Sequence, residues 1–224
     1  MEQAIGPILP LIITVTALLI SLTVHEFSHG FAAYLQGDET AKRMGRLTLN
    51  PIPHIDPIGT VLVPALFLLP MLIPGSGVPA MLFGWAKPVP FNPYNLRDGK
   101  RGIFWVGIAG PLSNFILFLI SGFVLKYAFT VVQPDNFLLE FLQVMLGLNF
   151  SLMLFNLIPI PPLDGSQIFF SLLSPQYGHI QQKIETYGSQ ILMILLVVEF
   201  AVYPFIGNTI GFLYSLAVRI LFSY

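Results

Sequence analysis

Residues 13–35 read ITVTALLISLTVHEFSHGFAAYL, an apolar helical stretch with His25-Glu26-Phe27-Ser28-His29 set inside it. The uncharged run leading from Ile5 into His25 carries little more than hydroxyl side chains as polar content, among them Thr14, Thr16, Ser21 and Thr23. It is long enough to cross a hydrocarbon core. Ionisable groups at membrane depth are costly and mark functional sites. The stretch therefore sets two expectations at once: a chain that lives in the bilayer, and chemistry at His25, Glu26 and His29.

Composition agrees with the first. Of 224 residues, 55% are hydrophobic and 9% charged, against roughly 25% charged in soluble domains. A net charge of -1 gives no basic surface for nucleic acid. With no cysteine, disulfides and thiolate metal sites are excluded, and any metal must take nitrogen and oxygen ligands. Met1-Glu2-Gln3 lacks the basic start of a secretory signal, so the first apolar run is expected to be a retained span.

Hydropathy and breakers predict helices over 6–35, 101–130, 137–158 and 186–202, with a shorter apolar segment at 206–222. The fold class expected is an all-α multi-pass membrane protein of about six transmembrane or re-entrant segments, forming one domain over 1–224. Residues 46–50 alternate polar with apolar, and 83–91 are broken by Pro88 and Pro90. Both read as short strands at the membrane edge. Seven of the ten Lys and Arg, namely Lys42, Arg43, Arg46, Lys87, Arg97, Lys100 and Arg101, flank the ends of the first two long helices. The positive-inside bias places both loops in the cytoplasm and the N-terminus outside. Residues 57–81, interrupted by Pro64, Pro70, Pro74 and Gly75-Ser76-Gly77, then cross an even number of times, most simply as a hairpin.

On a helix, His25 and His29 are about 40° apart and one turn along, with Glu26 roughly 60–100° to the side. Two imidazoles at that spacing can share a metal ion while the carboxylate flanks the open position. Zinc in a catalytic site takes three protein ligands and one water. A third ligand must reach the same depth. The helix over 137–158 also runs inward and ends in Asn156-Leu157-Ile158-Pro159-Ile160-Pro161-Pro162-Leu163-Asp164-Gly165, which delivers Asp164 to the side where the histidines lie.

These residues, with Gly107-Ile108-Ala109-Gly110-Pro111-Leu112, resemble the site-2 proteases, intramembrane zinc metalloproteases of peptidase family M50. The likeness covers about residues 15–170. It implies one catalytic Zn2+ on His25, His29 and Asp164, Glu26 as catalytic base, and Asn156 beside the metal or substrate. Transmembrane proteins are the implied substrates, cut within or near their spans, in a prokaryotic cell membrane with the active site toward the cytoplasm. Many relatives carry PDZ or CBS domains or a further span before the histidine helix; the short form here leaves substrate selection to the membrane core or a partner. Strand addition at the two predicted edges, with Leu47 and Leu49 as contacts, would hold a substrate extended.

His54 and Asp56 are read as a loop clamped by side-chain hydrogen bonds, with Asp56 the reserve ligand. Two other readings are open. A zinc transporter or pseudoprotease would need a polar lane across the bilayer, and a Ste24-type peptidase would take Glu199 as third ligand.

Overall fold

The computed structural model describes residues 8–68, 84–133 and 136–222. Helix α1 spans Ile8–Leu35. It ends where Gly37 takes a positive φ of 102°, so that the Asp38 and Gly37 amides close on the Ala33 and Tyr34 carbonyls, each at 3.0 Å. This is the double bond of a Schellman stop, which favours glycine because the left-handed backbone crowds a Cβ. Asp38 then starts the short α2 (Thr40–Arg43), accepting from the Thr40 amide and hydroxyl. Its other carboxylate oxygen accepts from the Asn92 amide at 2.7 Å, tying this corner to the loop before the next long helix.

A π-helical turn over Pro57–Leu62 runs into α3 (Val63–Leu68). Four longer helices and one short one follow: α4 (Lys100–Val131), α5 (Phe137–Asn156), the short α6 (Asp164–Leu172), α7 (Gly178–Ala201) and α8 (Phe205–Phe222). Five helices, α1, α4, α5, α7 and α8, are long and apolar enough to cross a membrane. The all-helical multi-pass expectation holds, with boundaries that physical detail adjusts. Helix α5 stops at Asn156 rather than 158, because the residue before a proline, here Ile158, is pushed out of the helical region. Helix α7 begins at Gly178, eight residues before the expected start at 186. Its polar first turns are invisible to hydropathy but carry helical pairs such as Gln181 Nε2 to Glu185 Oε1 at 2.8 Å.

The predicted strands do not form among the described residues. Residues 46–50 turn through bends, held by the Arg46 guanidinium on the Lys87 and Pro88 carbonyls at 2.8 and 3.3 Å. Residues 84–91 run without regular secondary structure, and their amides are spent singly. Trp85 donates to the Gly59 carbonyl, Lys87 to the His54 carbonyl and Val89 to the Glu26 carboxylate. Pro88 and Pro90 have no N–H to give, so no continuous ladder can be built. Phe83 lies outside the described residues.

Three helices make the core. The Gln36 amide just past the end of α1 donates to the Gly102 carbonyl at the start of α4 at 3.2 Å, and farther back the Ser21 carbonyl meets Asn114. Helices α1 and α4 are therefore antiparallel. Helix α4 ends at Val131 and α5 starts at Phe137, yet Asn114, well back along α4, meets Asn149, well along α5. Helix α5 runs antiparallel to α4 and hence parallel to α1. The C-terminus of α1 and the N-terminus of α4 share one side, so the connection between them leaves and returns to the same side, as an even number of crossings requires. The hairpin expected over 57–81 lies largely outside the described residues.

Helix α8 is anchored at its far end, where the fully buried Phe222 sits among Phe118 and Phe123 at ring distances of 5.6 and 5.2 Å. Most of its remaining surface is exposed, as suits a helix facing lipid.

Candidate metal centre

Helix periodicity puts His25 and His29 on the buried face of α1, 5% and 8% exposed. Asp164 arrives from α5 through the proline-broken turn and opens α6, 8% exposed. The Nε2 atoms of the two histidines are 3.1 Å apart, and Asp164 Oδ2 lies 3.1 Å from the first and 3.2 Å from the second. Tetrahedral ligands about zinc, with bonds near 2.0–2.2 Å, stand roughly 3.3–3.6 Å apart. The triangle fits that spacing with little adjustment.

The hydrogen bonds point to a cation as well. His25 Nδ1 faces Asn114 Oδ1 at 2.6 Å, and His29 Nδ1 faces the Val106 carbonyl at 2.7 Å. Both partners accept, so both Nδ1 atoms carry the proton and both Nε2 atoms present lone pairs. Asp164 Oδ2 is buried without a hydrogen-bond donor. Two lone pairs and a carboxylate oxygen converging on one point, away from water, form a costly arrangement unless a cation joins them. Among the described residues His25, His29 and Asp164 are the one group of at least three ionisable side chains that could hold a metal ion together.

Glu26, half-buried, stands beside this triangle and accepts from the Val89 amide at 2.8 Å. The bond fixes the carboxylate against the unladdered segment 84–91. Glu26, the three converging residues and Asn156 line one cavity of about 390 Å³. Room for the imidazoles comes from Gly110 of α4, where a Cβ would collide with both rings. The glycine pattern that opens α4 is thus a close-approach device.

The other residues singled out by sequence take the following places. Asn156 ends α5, its amide donating to the Leu152 carbonyl at 3.0 Å. Leu47 packs on α1 at Gly30 and Leu49 is 60% exposed, and neither lines the cavity. Asp56 caps the π-helical turn through the Ile58 and Gly59 amides, and His54 Nε2 meets the Thr48 carbonyl; both are loop clamps. Glu199 caps α8, accepting from Ile206 and Gly207 at 2.7 Å each, and is not part of the ligand group. On the far side of Asn114, α4, α5 and α8 close around Phe118, Leu125, Leu139, Leu142, Leu146 and Phe222. That apolar cluster leaves no continuation of a polar lane among the described residues.

Two buried polar positions at or behind the cavity escape the sequence pattern. Gln167, one turn after Asp164, lines the cavity with its Oε1 buried and without a partner. The i, i+3 spacing would have found it had α6 been recognised. Asn149 of α5 pairs with Asn114, which in turn faces His25.

The sequence profile described as Peptidase family M50 matches residues 97–199. A Bacillus subtilis protein named "Putative zinc metalloprotease YwhC" is 39% identical over 194 residues, covering 84% of this chain and 82% of that protein. One from Mycolicibacterium smegmatis named "Putative zinc metalloprotease Rip2" is 30% identical over 190 residues, covering 83% and 67%. The Mycobacterium tuberculosis Rip2 is 27% identical over 209 residues, covering 92% and 73%. No solved structure matches the chain.

Proposed function

Because the chain belongs to peptidase family M50, we propose that it is a zinc metalloprotease cutting peptide bonds within or near transmembrane segments. The observation that carries the reading is the ligand triangle with Glu26 beside it, walled by helices apolar enough to cross a bilayer. The whole of 1–224 acts as one membrane domain.

When bound by His25 Nε2, His29 Nε2 and Asp164 Oδ2, zinc supplies Lewis acidity toward a water and a peptide carbonyl. Glu26 accepts the proton of the attacking water and passes it to the departing amide nitrogen. The Val89 amide holds Glu26 Oε2, leaving the other carboxylate oxygen for that proton. Asn156 contacts substrate from the cavity wall. A substrate segment must be extended before its peptide bonds can be attacked, because a helix hides them in its own hydrogen bonds.

The test is metal removal. Protein reconstituted in vesicles with a single-span substrate is expected to stop cutting when stripped by a zinc chelator and to recover with added zinc. Full cleavage by the metal-free protein overturns the reading.

The cavity lies toward the cytoplasm on this account, since the basic residues flank the shared end of α1 and α4. The chain has no cysteine, so a single Met44→Cys in the exposed turn after α2 reports the side. An impermeant maleimide is expected to label it in inverted vesicles and to spare it in intact cells. Labelling in intact cells reverses the topology.

A further inference from the structure

Metal binding by His25 requires one tautomer, and we propose that Asn149 of α5, which does not touch the imidazole, is the positioning residue that fixes it. The proposal rests on the metal-site reading above. An amide side chain has a donor end and an acceptor end, so a chain of amides has a direction. Here the direction starts from a group that can only accept. Asn149 Nδ2 donates to the Met145 carbonyl at 2.8 Å and to Ser21 Oγ at 2.9 Å. That turns Asn149 Oδ1 toward Asn114, whose Nδ2 donates to it at 2.8 Å. The Ser21 carbonyl lies 3.4 Å from the same Nδ2, too long a contact to hold the amide by itself. Asn114 Oδ1 is left facing His25 Nδ1, which must donate. The lone pair of His25 then stays on Nε2, toward His29 and Asp164.

Both asparagines are 0% exposed, so water cannot stand in for a missing partner. Without the Asn149 oxygen, Asn114 can turn its amide over and present its NH2 to His25. The imidazole proton then moves to Nε2 and blocks the ligand position. His29 needs no such relay, because a backbone carbonyl, that of Val106, holds its Nδ1 directly. Zinc affinity is thereby coupled through one histidine to the docking of α5 on α1 and α4.

The experiment titrates zinc into stripped, detergent-purified protein against a chromophoric chelator. Asn149→Leu is expected to bind zinc about 10–100-fold more weakly than wild type, the range for loss of an outer-shell partner. The double variant Asn114→Asp with Asn149→Leu is expected to regain the affinity of Asn114→Asp alone, because a carboxylate accepts at both oxygens and holds the Nδ1 proton unaided. A residue that merely packs the bundle would give no such rescue. Wild-type affinity in Asn149→Leu, or a double variant as weak as Asn149→Leu, overturns the proposal.

Nitrogen-15 shifts of the imidazoles in zinc-free wild type at alkaline pH give a reading independent of any variant's folding. Protonation of His25 at Nδ1 is expected, and at Nε2 overturns the relay. Absence of zinc binding by wild type would instead defeat the metal-site reading, which the nitrogen shifts do not touch.

Discussion

Glu26→Gln is expected to keep its zinc and lose its turnover. The amide matches the carboxylate in shape, and its oxygen can accept the same Val89 N–H that holds Glu26 Oε2 at 2.8 Å. The ligand triangle is unaffected, because Glu26 is not one of its three members. What the amide cannot do is take a proton from water at neutral pH. General-base loss costs about 10²–10⁴-fold in rate, and Glu26 serves both the attack and the departure of the leaving group, so the upper part of that range is expected. Zinc per chain after dialysis and the cleavage rate of a single-span substrate read the two halves separately. A variant that still cuts at the wild-type rate moves the base to another residue.

Asp164→Asn is expected to lose both. Replacing the anionic oxygen with a neutral one leaves two imidazoles, and two ligands do not make a zinc site. The loss of affinity should exceed the 10–100-fold seen when an outer-shell partner is removed. Added zinc is expected to raise the unfolding temperature of wild type and to leave that of Asp164→Asn unchanged. Glu199→Gln, at the α8 cap, should keep zinc and activity. If Glu199→Gln abolished zinc binding and Asp164→Asn did not, the third ligand would be misassigned.

The site was legible in the sequence to the extent that local pattern and chain direction determine it. The i, i+4 spacing of His25 and His29 needs only helix geometry. Asp164 follows from α1 and α5 running parallel, so that a break at the end of α5 returns to the level of the histidines. What stayed hidden depends on how side chains interlock between helices. Asn114 could serve any neighbouring helix, and only the packed bundle pairs it with His25 on one side and Asn149 on the other. Alternation at 46–50 suggested a strand, yet a strand needs a partner with free amides. Segment 84–91 spends its own on Gly59, His54 and Glu26. Helix α6 was missed because its nine residues follow a proline cluster that reads as loop.

One zinc ion is expected between α1 and α6, among helices apolar enough to cross a membrane. Anomalous scattering from crystals of the purified protein, measured at the zinc edge, tests it most directly. A single peak is expected about 2.0–2.2 Å from His25 Nε2, His29 Nε2 and Asp164 Oδ2. A zinc-replete crystal with no peak there, or with its peak at Glu199, His54 or Asp56, would contradict it.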